Sequence, residues 1–226
     1  MKLKQTHPAL MEGRSIHPKM VKDPAETTGD ILKSVSSNKK LGNGSNTITK
    51  GKWRGMRMFS LTLQERDTCP RSCHHWTDCY GNNMAFAHRF QAGLSLEYAL
   101  RYELAYLAKK YPSGFVVRLH VLGDFYSESY VRVWDDALQA YPNLHVFGYT
   151  ARHSDLLGLH VAMLNAHYPK QCWIRSSLKE SLADMSAVEI ANQRSITCPQ
   201  QTGKTEACIT CGLCWSIRKP IHFMSH

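Results

Sequence analysis

The residues best suited to chemistry are Cys69-Pro-Arg-Ser-Cys73-His-His-Trp-Thr-Asp-Cys79-Tyr80, three cysteines within eleven residues in a loop that follows an expected strand. A C-x3-C-x5-C loop can bend three thiolates round one point, and thiolates bind zinc or the irons of an iron–sulfur cluster. Two arrangements compete. In one, Cys69, Cys73 and Cys79 hold three irons of a [4Fe–4S] cluster and leave the fourth open. In the other, His74 or His75 completes a tetrahedral zinc site. The ordinary alternative is three reduced thiols that simply lie close together.

A second group sharpens the choice. Cys198-Pro199 is followed by Cys208, Cys211 and Cys214. A C-x2-C-x2-C run with a distant Cys-Pro is the ligand pattern of bacterial ferredoxins, here with the Cys-Pro placed first. That pattern favours iron–sulfur over zinc. Seven of the eight cysteines are then ligands. The eighth, Cys172, sits in an apolar run and reads as a buried small hydrophobe.

Elsewhere the chain of 226 residues has room for one domain with a sizeable core. It shows no apolar run long enough to span a bilayer and no secretory leader, so the expectation is a cytoplasmic protein with reduced thiols. The formal net charge of +10 points to an anionic partner such as nucleic acid, or to nothing more than a solvated basic surface.

Residues 1–50 are polar and basic and lack sustained apolar periodicity; they read as a flexible arm or loosely packed lead-in. The βα domain is expected over 51–197 and a cysteine-rich segment over 198–226. Within the domain, Trp53–Leu63 alternates in its second half and reads as a strand. A helix follows, with Ser95 as N-cap, an apolar stripe of Leu96, Leu100, Leu104 and Leu107, and Glu97 paired with Arg101 outside. Phe115–Leu122 is the next strand. Helices capped by Ser127 and Ser154 alternate with strands at Leu144–Tyr149 and Gln171–Ile174. Three helices stop at Tyr111-Pro112, Tyr141-Pro142 and Tyr168-Pro169, because proline cannot continue them. A helix-like stretch at Ser186–Asn192 and a short strand at Ser195–Thr197 lead to Cys198. Repeated βα units without hairpin signals predict an α/β fold: a partial (βα) barrel or open parallel sheet with a cysteine-rich C-terminal extension.

In such sheets the site lies at the carboxyl ends of the strands. The cysteine loop, Gly123-Asp124, Thr150–Arg152, Arg175–Ser177 and Cys198 all follow strands and are expected on one rim. Asp124 is a candidate acid/base or cofactor contact, set against a plain loop role. Arg152 and Arg175 are candidate clamps for a carboxylate or phosphate, set against surface solvation. His120, Tyr126, Tyr130 and Trp134 read as core. Gly203-Lys204-Thr205 lacks the rest of a phosphate-binding loop and is discounted.

The chain resembles the phage and plasmid gene eighty-eight protein family. The matching pieces are Asn38–Leu41, Cys69–Tyr80, Arg118–Trp134, Phe147–Arg152 and Thr197–Trp215. More remotely, it is similar to radical S-adenosylmethionine enzymes, which have a partial βα barrel, a three-cysteine loop after the first strand and a Gly-Gly-Glu-like segment after the second. Gly123-Asp124 takes the latter place here. The usual loop of those enzymes is C-x3-C-x2-C with an aromatic before the third cysteine; this chain has x5, and Tyr80 follows Cys79. That likeness implies S-adenosylmethionine on the open iron, with Gly123, Asp124, Tyr80 and Ser176 as cofactor contacts.

Three functions are therefore open. One is an iron–sulfur enzyme of radical or redox type with an electron donor. The second is a zinc-stabilised nucleic-acid-binding module. The third is a non-catalytic iron–sulfur sensor.

Overall fold

The computed structural model describes residues 1–27 and 29–224. The helices are α1 (Pro8–Glu12), α2 (Leu94–Lys110), α3 (Glu128–Ala140), α4 (Leu156–His167) and α5 (Cys208–Cys211). The strands are β1 (Val21–Lys22), β2 (Lys33–Ser34), β3 (Arg57–Ser60), β4 (Arg89–Phe90), β5 (Phe115–Leu119), β6 (Leu144–Thr150), β7 (Cys172–Leu178), β8 (Ser186–Val188), β9 (Ile196–Thr197) and β10 (Ile221–His222). Eight of the strands form one sheet in the order β2-β3-β5-β6-β7-β8-β10-β9. Every neighbouring pair in it is parallel except β2–β3. The sheet stays open and does not close into a barrel.

From β3 to β8 the strands are laid down side by side in chain order, and the helices between them lie on one face. Leu96, Leu100, Leu104, Tyr130, Trp134, Val161 and Leu164 share a core with Phe115, Val117, Leu119, Val146 and Ile174. The alternate strand residues point the other way. Met58, Val116, Phe147 and Trp173 meet Val35, Leu41, Ile48, Trp53, Ile209 and Trp215. The middle strands are apolar on both faces because both are covered, as parallel sheets require.

The three Tyr-Pro stops work as expected. The backbone N–H groups of Tyr111, Tyr141 and Tyr168 close the last turns on Leu107, Ala137 and Leu164. The next turn is then locked by a side chain: Asn143 donates to the carbonyls of Ala108 and Tyr111, and Gln171 to those of Leu138, Tyr141 and Leu144.

Several local expectations are corrected. The lead-in is not loosely packed: Ala9, Leu10, Ile31, Leu32, Val35, Leu41 and Ile48 are buried. Its few apolar residues gain their partners from the sheet, which periodicity within the segment cannot reveal. Ser186–Asn192 is not helical. Ser186, Ala187 and Val188 are buried in β8, where pairing with β7 and β10 overrides local propensity. The N-cap of α4 is Asp155, whose Oδ1 accepts from Gly158 N at 2.8 Å, rather than Ser154. Gly93, not Ser95, precedes α2. Glu97 faces inward and accepts from Tyr126 Oη and Ser129 Oγ, while Arg101 pairs with Asp136.

Candidate metal centres

The cysteine loop hangs from the carboxyl end of β3 and is held at both ends. Glu65, just before it, and Arg89, just after it, form a fully buried ion pair. Arg89 also donates to the carbonyls of Gly81, Met84 and Ala87. Within the loop, Arg66 donates to Trp76 O at 3.1 Å and to Asn82 Oδ1 at 2.6 Å. The loop is thus a framed structure whose thiols are set by its surroundings.

The framed loop lies against the exit of β5. Gly123 has φ +84°, and a Cβ there would come within 2.6 Å of Leu63 Cβ and Thr68 Oγ1. Glycine permits this approach. Asp124 N donates to Thr68 Oγ1 at 3.1 Å, next to Cys69. The Asp124 carboxylate is buried and accepts from Phe125 N, Thr150 Oγ1 and Ala151 N at 2.7–2.8 Å. Burial pushes its pKa up to about 6 against the pull of those three donors. The ends of β5 and β6 therefore meet the cysteine loop through Asp124.

Cys69, Cys73 and Cys79 are reduced and close enough to disturb one another's ionisation. Burial pushes the Cys69 thiol well up, with Asp124, Cys73 and Cys79 adding to it. Cys73 rises to about 11, again chiefly through burial. Desolvated thiols of this kind would have to ionise to bind a metal, which would release protons.

The second group lies on the sheet face opposite α2–α4. Cys198, Cys208, Cys211 and Cys214 line one small cavity with Pro199 and Trp215. Backbone bonds from Cys208 N to Lys40 O and from Ile209 N to Leu41 O fasten α5 to the lead-in. Tyr149 Oη donates to Cys214 Sγ at 2.9 Å. Burial raises the Cys214 thiol, offset by Tyr149 and Arg175.

Beside the second group is a cavity of about 120 Å³. Cys198, Cys208 and Cys214 border it from that group and Tyr80 from the end of the first loop, with Lys40, Arg118 and Tyr149 among its other lining residues. The Arg118 guanidinium lies 4.6 Å from the Tyr149 ring centroid. Sequence reasoning missed Arg118 and Lys40 as site residues. The signal for Arg118 was a cation in the middle of the apolar run FVVRLHVL.

The two candidate clamps have other duties. Arg175 is fully buried and donates to the carbonyls of Cys214, Ser186, Lys219 and Ile217, so it pins the C-terminal segment. Arg152 donates to Phe125 O, Asp155 Oδ2 and Thr68 O, tying two strand exits to the cysteine loop. Ser176 pairs with Ser186 in β7–β8, and its N–H donates to Met185 O.

A family model described as gene product 88 matches residues 31–186, more than half of the chain. The chain belongs to the gene product 88 family. In this family member the match takes in the first cysteine loop and Asp124 and ends before Cys198. No curated protein and no solved structure matches the chain. The likeness to radical S-adenosylmethionine enzymes finds no support among the comparisons. Among the described residues, no helix is long and apolar enough to cross a membrane.

Proposed function

We propose that the chain is an iron–sulfur redox enzyme with a [4Fe–4S] cluster on each cysteine group. The observation that carries this reading is the gathering of Cys198, Cys208, Cys211 and Cys214, from two separate segments, round one cavity.

Cys69, Cys73 and Cys79 supply three thiolates and leave one iron of their cluster to an outside ligand. That iron is the place for chemistry, and a cluster there supplies electrons one at a time. Asp124 holds the loop to the strand exits. Arg118 and Lys40 provide positive charge for a carboxylate or phosphate in the neighbouring cavity. The cluster on Cys198, Cys208, Cys211 and Cys214 passes electrons from a donor. S-Adenosylmethionine, with an amino and a carboxylate group for the open iron, is the first ligand to try. The proposed location is the cytoplasm, where thiols stay reduced.

Anaerobic purification tests the reading. About eight iron and eight sulfide per chain are expected. Cys73→Ala should remove half of them, and Cys211→Ala the other half. A colourless protein with stoichiometric zinc would overturn the assignment. A brown protein that neither binds nor cleaves S-adenosylmethionine on reduction would keep the clusters and discard that cosubstrate.

A second reading concerns the partner. Tyr98, Tyr102 and Tyr106 stand exposed at four-residue spacing on α2, which ends in Lys109 and Lys110. With a net charge of +10, this favours a single-stranded nucleic acid whose bases stack on the rings. Binding that weakens steeply with salt and falls in Tyr102→Ala is expected; salt-independent binding would exclude it.

A further inference from the structure

His74 and His75 lie between Cys73 and Cys79, yet both turn to a single carboxylate. His74 Nε2 is 3.3 Å from Glu189 Oε1, and His75 Nε2 meets the same oxygen. The ligand-capable atoms of the three residues lie within 4.8 Å of one another. Among the described residues they are the one such trio of histidine, cysteine or acidic side chains.

The arrangement is poorly explained by hydrogen bonding alone. His74 Nε2 is buried and makes no hydrogen bond. Leaving such a group unsatisfied costs about 1–3 kcal/mol. His75 has a second carboxylate on its other side, with Nδ1 3.3 Å from Asp78 Oδ1. An outer carboxylate on one ring nitrogen, with the other nitrogen turned to the site, is how metal-binding histidines are oriented.

We propose that His74, His75 and Glu189 bind a divalent first-row transition ion such as zinc, with a fourth position open. Two imidazoles and a carboxylate suit such an ion. Calcium and magnesium, which take oxygen ligands, are excluded by the same donor set. Tetrahedral ligands stand roughly 3.4 Å apart, so small side-chain rotations complete the site. The ion clasps the cysteine loop to the end of β8. There Glu189 N bonds to Lys179 O at 3.0 Å, and Val188 O accepts from Phe223 N at 2.8 Å. The site shares no ligand with either cysteine group and does not rest on their holding clusters.

The test is titration of the full chain, purified anaerobically with its cysteine sites as they come, with cobalt(II). One equivalent should bind with visible d–d bands and no thiolate-to-cobalt charge transfer. Glu189→Gln and His75→Ala should each weaken that equivalent by about tenfold or more, with iron and sulfide content unchanged. Should the cysteines lack clusters, cobalt on them shows as charge transfer, and the Glu189→Gln difference still isolates the trio. Absence of a thiolate-free equivalent, or identical binding in both loss variants, overturns the site.

Discussion

Arg89 Nε donates to Glu65 Oε2 at 2.7 Å, with both side chains wholly out of solvent, and this pair buckles the two ends of the cysteine loop together. Ser15 Oγ satisfies the other carboxylate oxygen at 2.8 Å. Arg89→Met should destabilise the fold by about 3–5 kcal/mol, because it strands a buried carboxylate. The double variant Glu65→Leu with Arg89→Met should recover part of that loss, since the carboxylate is gone, but not all of it, since buried Arg66, 4.0 Å from Glu65 Oε1, then loses its own partner. Urea titrations of the three proteins check the order. A single variant no less stable than the double would show that the pair is not a buckle.

Gly123 sets how closely the exit of β5 approaches the loop. Gly123→Ala places a methyl group within 2.6 Å of Leu63 and Thr68 at φ +84°. The expected cost is about 1–3 kcal/mol. Because Thr68 adjoins Cys69, the variant should also lose metal from the first cysteine group before the second. Metal analysis in a Cys211→Ala background measures that loss directly. Full retention there would mean that the loop is placed by the Glu65–Arg89 buckle alone.

His120 gives the fold a pH dependence with a definite sign. It is buried, bonds Tyr130 Oη through Nε2 at 2.7 Å, and burial depresses its pKa to about 3, with Arg118 adding to the effect. The unfolded chain, with an ordinary histidine near 6.5, binds the proton first. Stability from this residue is therefore whole above about pH 6.5 and drains as pH falls toward 3. Between pH 7.5 and 5 the loss is about 2 kcal/mol relative to His120→Gln, which keeps a polar partner for Tyr130. Asp124 works in the opposite direction over part of this range, so the comparison must be variant against parent. Parallel stability curves for the two proteins would refute the assignment.

The parts of this fold legible in the sequence are those written locally. Each Tyr-Pro stop, the Ser127 cap and the apolar strands announce themselves within a few residues, and their alternation predicts the parallel sheet. The lead-in and β8 do not, because Ile31, Leu32 and Val188 are buried by partners far away in the chain. The site divides the same way. The cysteines declare themselves by spacing. The sequence puts Arg175 at a strand end, as a clamp would be, but it lies midway along β7, and carbonyls that arrive with the C-terminal segment use up its donors. Glu189 is invisible as a partner of His74 and His75 until the sheet brings it to them.

Tyr149 offers a graded test of the second cysteine group. Its hydroxyl donates to Cys214 Sγ at 2.9 Å from the neighbouring sheet face. A hydrogen bond to a cluster thiolate stabilises the more negative, reduced form, and so raises the reduction potential. Tyr149→Phe removes the donor and keeps the ring under Arg118. The potential of the cluster proposed on Cys198, Cys208, Cys211 and Cys214 should fall, while that of the one proposed on Cys69, Cys73 and Cys79 should hold. Redox titration followed by electron paramagnetic resonance separates the two signals. A drop shared equally by both would place Tyr149 beside neither cluster in particular. An unchanged pair of potentials would mean that Cys214 carries no iron.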